Sequence, residues 1–279
     1  MTGIGPLTDP SEMSGISEGG AEGAGTGAHG DAGAKSVLGK VQLILESFGH
    51  DDAHLSLTEI TRRTGMAKAS VHRLAQELLR WGVLERHGSG YRLGMRLFEI
   101  GQRVPRQRIL REAARPYMED LYQTTNETVH LAVLDGREVL YLEKVSGHGQ
   151  VSKPSRIAGR LPLHCTATGK VLLAFGPRSL VDEVVSAPLE RLTPRTVGTP
   201  GLLLQELARA RETGCAVEYE QTRVGYLSVA VPLLGATGAT MGALSVTAPV
   251  FRAEVRRYTG LLEMAGRRIS RTITAMSGG

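Results

Sequence analysis

Only two cysteines, Cys165 and Cys215, occur in 279 residues. They are too few for a disulfide framework and show no CxxC or Cys/His metal spacing. A reducing, cytoplasmic setting without a metal or other cofactor is the expectation. Aromatic residues are scarce, at 4%, while the hydrophobic share of 41% is ordinary for a soluble chain of about two domains. No apolar run approaches the roughly 18 residues that a membrane span requires. The first residues hold no basic stretch leading into an apolar core, so no secretory signal is expected. No HExxH helix is present. The stretch Ala167-Thr168-Gly169-Lys170 ends like a phosphate loop. That motif fails, because His164 stands where its first glycine is required and Val171 follows the lysine in place of Ser or Thr. No repeat at solenoid spacing is apparent.

Basic residues are missing from one region. Residues 1–34 contain no Lys or Arg, five acids (Asp9, Glu12, Glu18, Glu22 and Asp31) and ten glycines. Such a segment cannot bury enough apolar surface to offset its ordering entropy, and it reads as a disordered acidic tail. The rest of the chain carries 33 basic against 23 acidic side chains. Between Lys35 and Arg108 thirteen basic residues face seven acidic ones, a balance that fits a polyanionic partner. An ordinary solvated surface has similar charge, so the pattern of elements must decide.

That pattern begins near Ser36, where Val37, Val41, Ile44, Leu45 and Phe48 recur at helical spacing. Ser56-Leu57-Thr58-Glu59 matches a capping box, and the short helix it opens turns Leu57 and Ile60 inward and Arg62 and Arg63 outward. Gly65 closes that helix. A second helix is predicted from about Ala67 to Trp81, with Val71, Leu74, Ala75 and Leu78 as its apolar stripe. Two helices joined by a short Gly-containing turn make a helix-turn-helix. Val83–Arg86 and Tyr91–Leu93 flank a Gly-rich tip and read as a β-hairpin wing. In such modules the second helix enters the major groove and its first turns do most of the reading. Lys68, Ser70, His72 and Arg73 are therefore the candidate DNA contacts, Lys68 and Arg73 to guanine or phosphate. Arg86 and Arg92 on the wing, with His87, can reach the backbone or minor groove. The bland reading is a solvated face on a protein–protein module.

Behind the wing, Gly94–Val104 reads as a linker helix that Pro105 breaks or bends. A helix from about Arg108 to Thr124 opens a second domain. Strands are predicted at Thr128–Leu134 and Glu138–Val145, joined by the Asp135-Gly136 turn, and at Cys215–Glu220, Leu227–Leu234 and Met241–Thr247. Helices are predicted near Ala167–Ala174, Leu180–Ser186, Leu203–Thr213 and Arg252–Ala275. The expected division is a tail at 1–34, a winged helix-turn-helix at 35–93, a linker helix at 94–107 and a second domain at 108–279. The fold class is α+β with a mainly antiparallel sheet.

Thr166-Ala167-Thr168-Gly169 opens a helix poor in large side chains. Its free amides and the helix dipole make a natural anion site, with the Thr166 and Thr168 hydroxyls placed to assist. Thr166 is otherwise a plain N-cap. Several further stretches run in a fixed order: Leu57-Thr58-Glu59-Ile60, Thr64 to Ser70, Tyr91-Arg92-Leu93-Gly94, Leu161-Pro162-Leu163-His164, Ala167 to Ala174, Ala230-Val231-Pro232 and Leu244 to Pro249. In this order and spacing, residues 35–279 resemble the IclR family of transcriptional regulators. The resemblance implies a GAF-like effector domain and dimers, often paired into tetramers, on palindromic DNA operators. It also implies a small-molecule effector, commonly an organic or aromatic acid. The family includes repressors and activators, and a repressor is expected here. Positions that the resemblance places in the effector pocket are Gln150, Lys153, Ala167, Thr168, Glu218, Tyr226, Ser228, Ser245 and Thr247. Many relatives carry Asp near Glu218 and Cys at Ser228, and some are apolar at Lys153. A small polar strand face would equally explain the alternation of Ser245 and Thr247.

A second functional reading rests on Cys165, as the nucleophile of a small-molecule enzyme or as a redox sensor. Adjacent residues on an extended chain point to opposite faces, so His164 and Cys165 are not a ready dyad. His130, on an alternating strand, reads as a packed or surface histidine. A third reading is an architectural DNA-binding protein without an effector.

Overall fold

The computed structural model describes residues 36–147 and 156–277. The acidic tail and the two candidates Gln150 and Lys153 lie outside the described residues.

Local signals set the N-terminal elements. Ser36 caps α1 (Val37–Glu46), its hydroxyl accepting from the Gly39 amide at 2.9 Å. The capping box forms at α2 (Leu57–Thr64): Ser56 Oγ accepts from the Glu59 amide at 3.2 Å, and Glu59 Oε2 accepts from the Ser56 amide at 2.8 Å. Gly65 ends α2 at φ +67°, a conformation that glycine adopts without strain. Next, α3 (Lys68–Arg80) buries Val71, Leu74, Ala75 and Leu78 against Ile44, Leu55 and Ile60. Strands β1 (Leu84–His87) and β2 (Gly90–Leu93) pair antiparallel. Leu55 exchanges both main-chain hydrogen bonds with Tyr91 at 2.8 Å, tying the α1–α2 loop to the wing. Arg63 is exposed, as expected, and is also engaged. Its guanidinium donates to the Ser47 carbonyl at 2.8 Å and pairs with Asp52, so it staples that loop.

The linker also differs from expectation. Helix α4 (Met95–Gly101) ends before Pro105, and Pro105 opens α5 (Pro105–Thr125). At the first helical position a missing N–H is harmless and the fixed φ suits the helix, so this proline starts an element where it was expected to break one.

Six antiparallel strands form the second sheet, in the order β5-β4-β3-β8-β7-β6. They are β3 (Thr128–Asp135), β4 (Glu138–Val145), β5 (Arg160–Pro162), β6 (Ala216–Tyr219), β7 (Tyr226–Leu234) and β8 (Thr240–Pro249). The short edge strand β5 was not anticipated. One face carries large aliphatics, among them Leu131, Val229, Val231, Leu244 and Val246. They pack on α5 and on α9 (Val255–Ser277). The other face carries Ala132, Ala216, Ala230 and Ala243 beneath α6 (Ala167–Phe175), α7 (Arg178–Val185) and α8 (Pro200–Thr213). Cross-strand partners share a face. The register therefore lines up Glu218, Ser228, Thr247 and Thr128 in one row, with Ser245 and His130 in the next.

Gly94 marks a close approach between the wing and α4. A Cβ there would lie 2.0 Å from the Gly82 carbonyl oxygen, backbone that cannot swing aside. The expected outcome for Gly94→Ala is a loss of about 2 kcal/mol in chemical denaturation. A stability equal to wild type would mean that this junction yields.

Candidate DNA interface and effector pocket

The first turns of α3 place Lys68, His72 and Arg73 in solvent opposite the buried stripe, with Ser70 half-buried beside them. The His72 ring lies 3.4 Å from the Gln76 side-chain amide, one turn on. On the wing, the Arg86 guanidinium lies over the Tyr91 ring at 4.5 Å and the residue stays exposed. Arg92 is already engaged: its Nε and Nη2 donate to Glu85 Oε2 at 2.9 and 2.7 Å. Of the six candidate contacts, five are exposed, Arg92 among them although it is paired with Glu85, and Ser70 is half-buried.

A cavity of about 30 Å³ lies between the polar sheet face and the start of α6. Eight of the ten candidate effector residues line it: Thr166, Ala167 and Thr168 from α6 and its cap, and Glu218, Tyr226, Ser228, Ser245 and Thr247 from the sheet. Its wall also includes His130, Tyr141, Leu161, Thr222 and Arg223, which sequence reasoning had not placed there. For His130 the signal was available, because strand alternation puts it on the face of Thr128. Tyr141 required knowledge of the β3–β4 bulge that aligns it with Ala132. Arg223 sits in the β6–β7 loop, over the Tyr226 ring at 4.5 Å, where no periodicity applies.

At the α6 end, Thr166 does local work. Its hydroxyl accepts from the Gly169 amide at 2.9 Å and donates to the Pro162 carbonyl at 3.1 Å. The helical ladder begins with the Lys170 amide donating to the Thr166 carbonyl, so Ala167 and Thr168 carry the first-turn amides that an anion can use. The Thr168 and Tyr141 hydroxyls approach to 3.4 Å.

At the other end Glu218 is buried. The Gln221 amide donates to its Oε2 at 2.8 Å, and the Thr222 and Ser228 hydroxyls reach its Oε1 at 3.0 and 3.1 Å. Burial raises its carboxyl above the ordinary range, and these donors with the nearby Lys170 oppose the rise. Lys170, fully buried within α6, donates to Gln221 Oε1 at 2.8 Å and pairs with Glu206 of α8 at 2.5 Å.

The geometry around Cys165 disfavours nucleophilic chemistry. The residue is buried, and burial pushes its thiol up to about 12. His164 turns away to the Glu190 carbonyl at 2.8 Å, and burial lowers its pKa. Among the described residues no cluster of metal-binding side chains occurs and no helix is long and apolar enough to cross a membrane.

A winged helix-turn-helix with a basic reading face, joined to a domain that closes a polar cavity beneath a helix N-terminus, defines a ligand-responsive DNA-binding regulator. Comparisons with known proteins agree. Residues 37–88 match the IclR helix-turn-helix domain, and residues 102–271 match the bacterial transcriptional regulator IclR C-terminal domain. The chain belongs to the IclR family of transcriptional regulators. It is 34% identical over 236 residues to the HTH-type transcriptional regulator XynR of Escherichia coli, covering 82% of this chain and 94% of that one. KdgR of the same organism is 34% identical over 241 residues, 84% of this chain and 91% of the relative. The crystal structure of an IclR homolog from Microbacterium hydrocarbonoxydans complexed with 4-hydroxybenzoate superposes with a TM-score of 0.81. It is 36% identical and covers 86% of this chain and 100% of that one. These relatives are regulators of transcription, and this chain is a regulator with an effector-binding C-terminal domain rather than an enzyme.

The raised Glu218 carboxyl has a definite sign in stability. The folded state holds this proton more tightly than the unfolded chain, whose glutamates titrate near 4.5. Its contribution therefore grows as pH falls through the folded value and is lost as pH rises through it. The stability advantage of wild type over Glu218→Gln is expected to widen in thermal unfolding as pH falls from the alkaline side toward the unfolded value near 4.5. A pH-independent difference would place this carboxyl at its ordinary value. In a Cys215→Ser background, Cys165 is expected to resist a thiol reagent until the protein is denatured. Rapid labelling of the native state would reopen the redox reading.

Proposed function

We propose that the protein is a homodimeric, cytoplasmic repressor whose hold on a palindromic operator is released by a small organic or aromatic acid. The observation that carries this reading is the cavity where the first-turn amides of α6 meet the polar row of the sheet. The acid's carboxylate docks on the Ala167 and Thr168 amides. Glu218, Tyr226, Ser228, Ser245 and Thr247 shape the remainder, and Gln150 and Lys153 complete the set by family resemblance. A relative crystallised with 4-hydroxybenzoate supports the ligand class.

A cavity of about 30 Å³ holds little more than ordered water. An organic acid must therefore widen it, and this links binding to a shift of α6 or the β6–β7 loop. The same fold unit, residues 108–279, begins in α5 directly behind the linker at 94–107. Helix α4 buries none of its own residues and leaves Met95, Phe98 and Ile100 at 63%, 59% and 48% exposure, as suits a helix covered by a second copy. Lys68, Ser70, His72 and Arg73 read the major groove, and Arg86, with Arg92 beside it, follows the backbone.

The decisive experiment is a gel-shift titration on DNA upstream of the protein's own gene, at two salt concentrations, with random competitor and a panel of small aromatic and aliphatic acids. Competitor-resistant binding with a steep salt dependence, released by an acid, is the expected outcome. Tighter binding in the presence of the acid would reverse the sense to activation. Binding no stronger than to random DNA that selection from a random pool also fails to improve would refute the operator reading. Arg73→Ala is expected to lower operator affinity by about tenfold or more with an unchanged melting temperature. Wild-type affinity would remove Arg73 from the contacts.

A further inference from the structure

We propose that Glu85 is a positioning residue that locks α4 to the wing, whose base is in turn fastened to the recognition helix α3, so that the winged helix and its linker helix turn as one body and the α4–α5 joint becomes the hinge. The inference rests on the dimeric reading above, because a rigid α4 matters when it sets the distance between two recognition helices.

The lock is built from both side chain and backbone. Glu85 stands on β1, and its Oε1 accepts from the amide of Met95, the first residue of α4, at 3.0 Å. Gly94 offers no side chain to cap α4, and a carboxylate from the wing supplies an acceptor for the first of its free amides. A negative group at this end also complements the helix dipole. The second oxygen of Glu85 takes two hydrogen bonds from Arg92, which aims the carboxylate at the helix. The same two partners, the Met95 amide first, lower the Glu85 pKa, so the group is ionised across the physiological range.

Backbone contacts reinforce it. Trp81 caps the end of α3, and Gly82 turns the chain at φ +71°. The Val83 amide bonds back to the Leu78 carbonyl at 2.9 Å, and the Val83 carbonyl accepts from the Gly94 amide at 2.8 Å. The last turn of α3, the base of the wing and the start of α4 are thus fastened within a few residues. Only Leu97 of α4 packs on the winged-helix core, so within one copy this junction is the main link that sets the direction of α4 against α3.

The far end of α4 is built differently. The hydrogen bonds there are turns within four residues: Gln102 to Phe98, Arg103 to Ile100 and Val104 to Gly101. Pro105 then starts a separate helix. Movement of the sensor domain is accordingly absorbed at 102–104, and α4 follows the winged helix. This also gives Arg92 a role that does not require DNA, orienting Glu85 from within the wing.

The test uses the full-length protein. Selection from a random DNA pool first defines two half-sites and their spacer. The selected duplex is then remade with the spacer changed by two base pairs in either direction. Wild type is expected to lose about tenfold or more in affinity on the altered spacers. Glu85→Ala is expected to bind all spacers within about threefold, and Glu85→Gln, which keeps the acceptor, to discriminate like wild type. Amide exchange over Met95–Gly101 supplies a second readout: faster in Glu85→Ala, protected in Glu85→Gln. Retained spacer discrimination in Glu85→Ala would overturn the assignment. So would a failure of Gln to rescue, or lost DNA binding with exchange of α4 unchanged. Selection of a single half-site by wild type would instead strike down the dimeric reading itself, before any variant is made.

Discussion

A fully buried ammonium organises the sensor domain. Lys170 lies in the middle of α6, with every residue from Ala167 to Ala174 buried around it. Taking such a charge out of water costs several kcal/mol unless an anion and further acceptors surround it. Glu206 supplies the anion and Gln221 the acceptor, and Gln221 Nε2 donates in turn to Glu206 Oε1 at 3.2 Å. One charge thereby ties α6 to α8 and to the β6–β7 loop. The Gln221 amide then fixes Glu218, and through Ser228 the hydroxyls of Ser228 and Thr247 come within 2.9 Å of each other. The pocket floor is the outer shell of the arrangement that makes a buried lysine tolerable.

That arrangement needs α6 to lie close to the sheet, and small residues permit it. The strands beneath contribute Ala132, Ala230 and Ala243, and Gly169 lets the β5–α6 turn fold back on the helix, since a Cβ there would sit 2.3 Å from the Leu163 carbonyl oxygen. The opposite face, with its Leu and Val side chains, supplies the apolar burial that holds α5 and α9. The division of labour between faces explains how a chain poor in aromatics still builds a large core while keeping a polar cavity. The side that supplies most of the aliphatic burial is not the side that holds the polar cavity.

Legibility in the sequence followed the range of the interaction. The Ser56–Glu59 capping box, the Gly65 turn and the Gly136 hairpin are written within four residues, and they form as read. The α3 stripe and the strand alternation are periodic and equally plain. The partners of Lys170 stand 36 and 51 residues away along the chain, and nothing local announces them. Arg63 and Arg92 are exposed as read, but their carboxylate partners were not legible, because charge alone does not tell whether a guanidinium meets water, phosphate or a neighbouring carboxylate. Pro105 was ambiguous for a similar reason, since the same ring that breaks a helix interior also begins one. For the pocket, alternation indicated the face and the helix N-terminus indicated the pole. The β3–β4 bulge and the β6–β7 loop, which bring in Tyr141 and Arg223, obey no period.

The two domains meet in one continuous mechanical line. The sheet's aliphatic face grips α5 through Leu110, Ala113, Ala114 and Met118, and Arg111 on that helix pairs with Glu143 of β4 at 3.2 Å. Strand β4 also carries Tyr141, whose hydroxyl faces Thr168 at the head of α6. In the proposed reading, a ligand that parts α6 from the sheet acts on β4 through the Tyr141–Thr168 contact, and β4 acts on α5 through the Glu143–Arg111 pair. Helix α5 begins at Pro105, directly after the 102–104 turn that closes α4. No contact need run from the pocket to the DNA for the signal to arrive. A rigid helix on one side of a short turn and a fastened one on the other suffice, provided that the turn is the weakest part of the line.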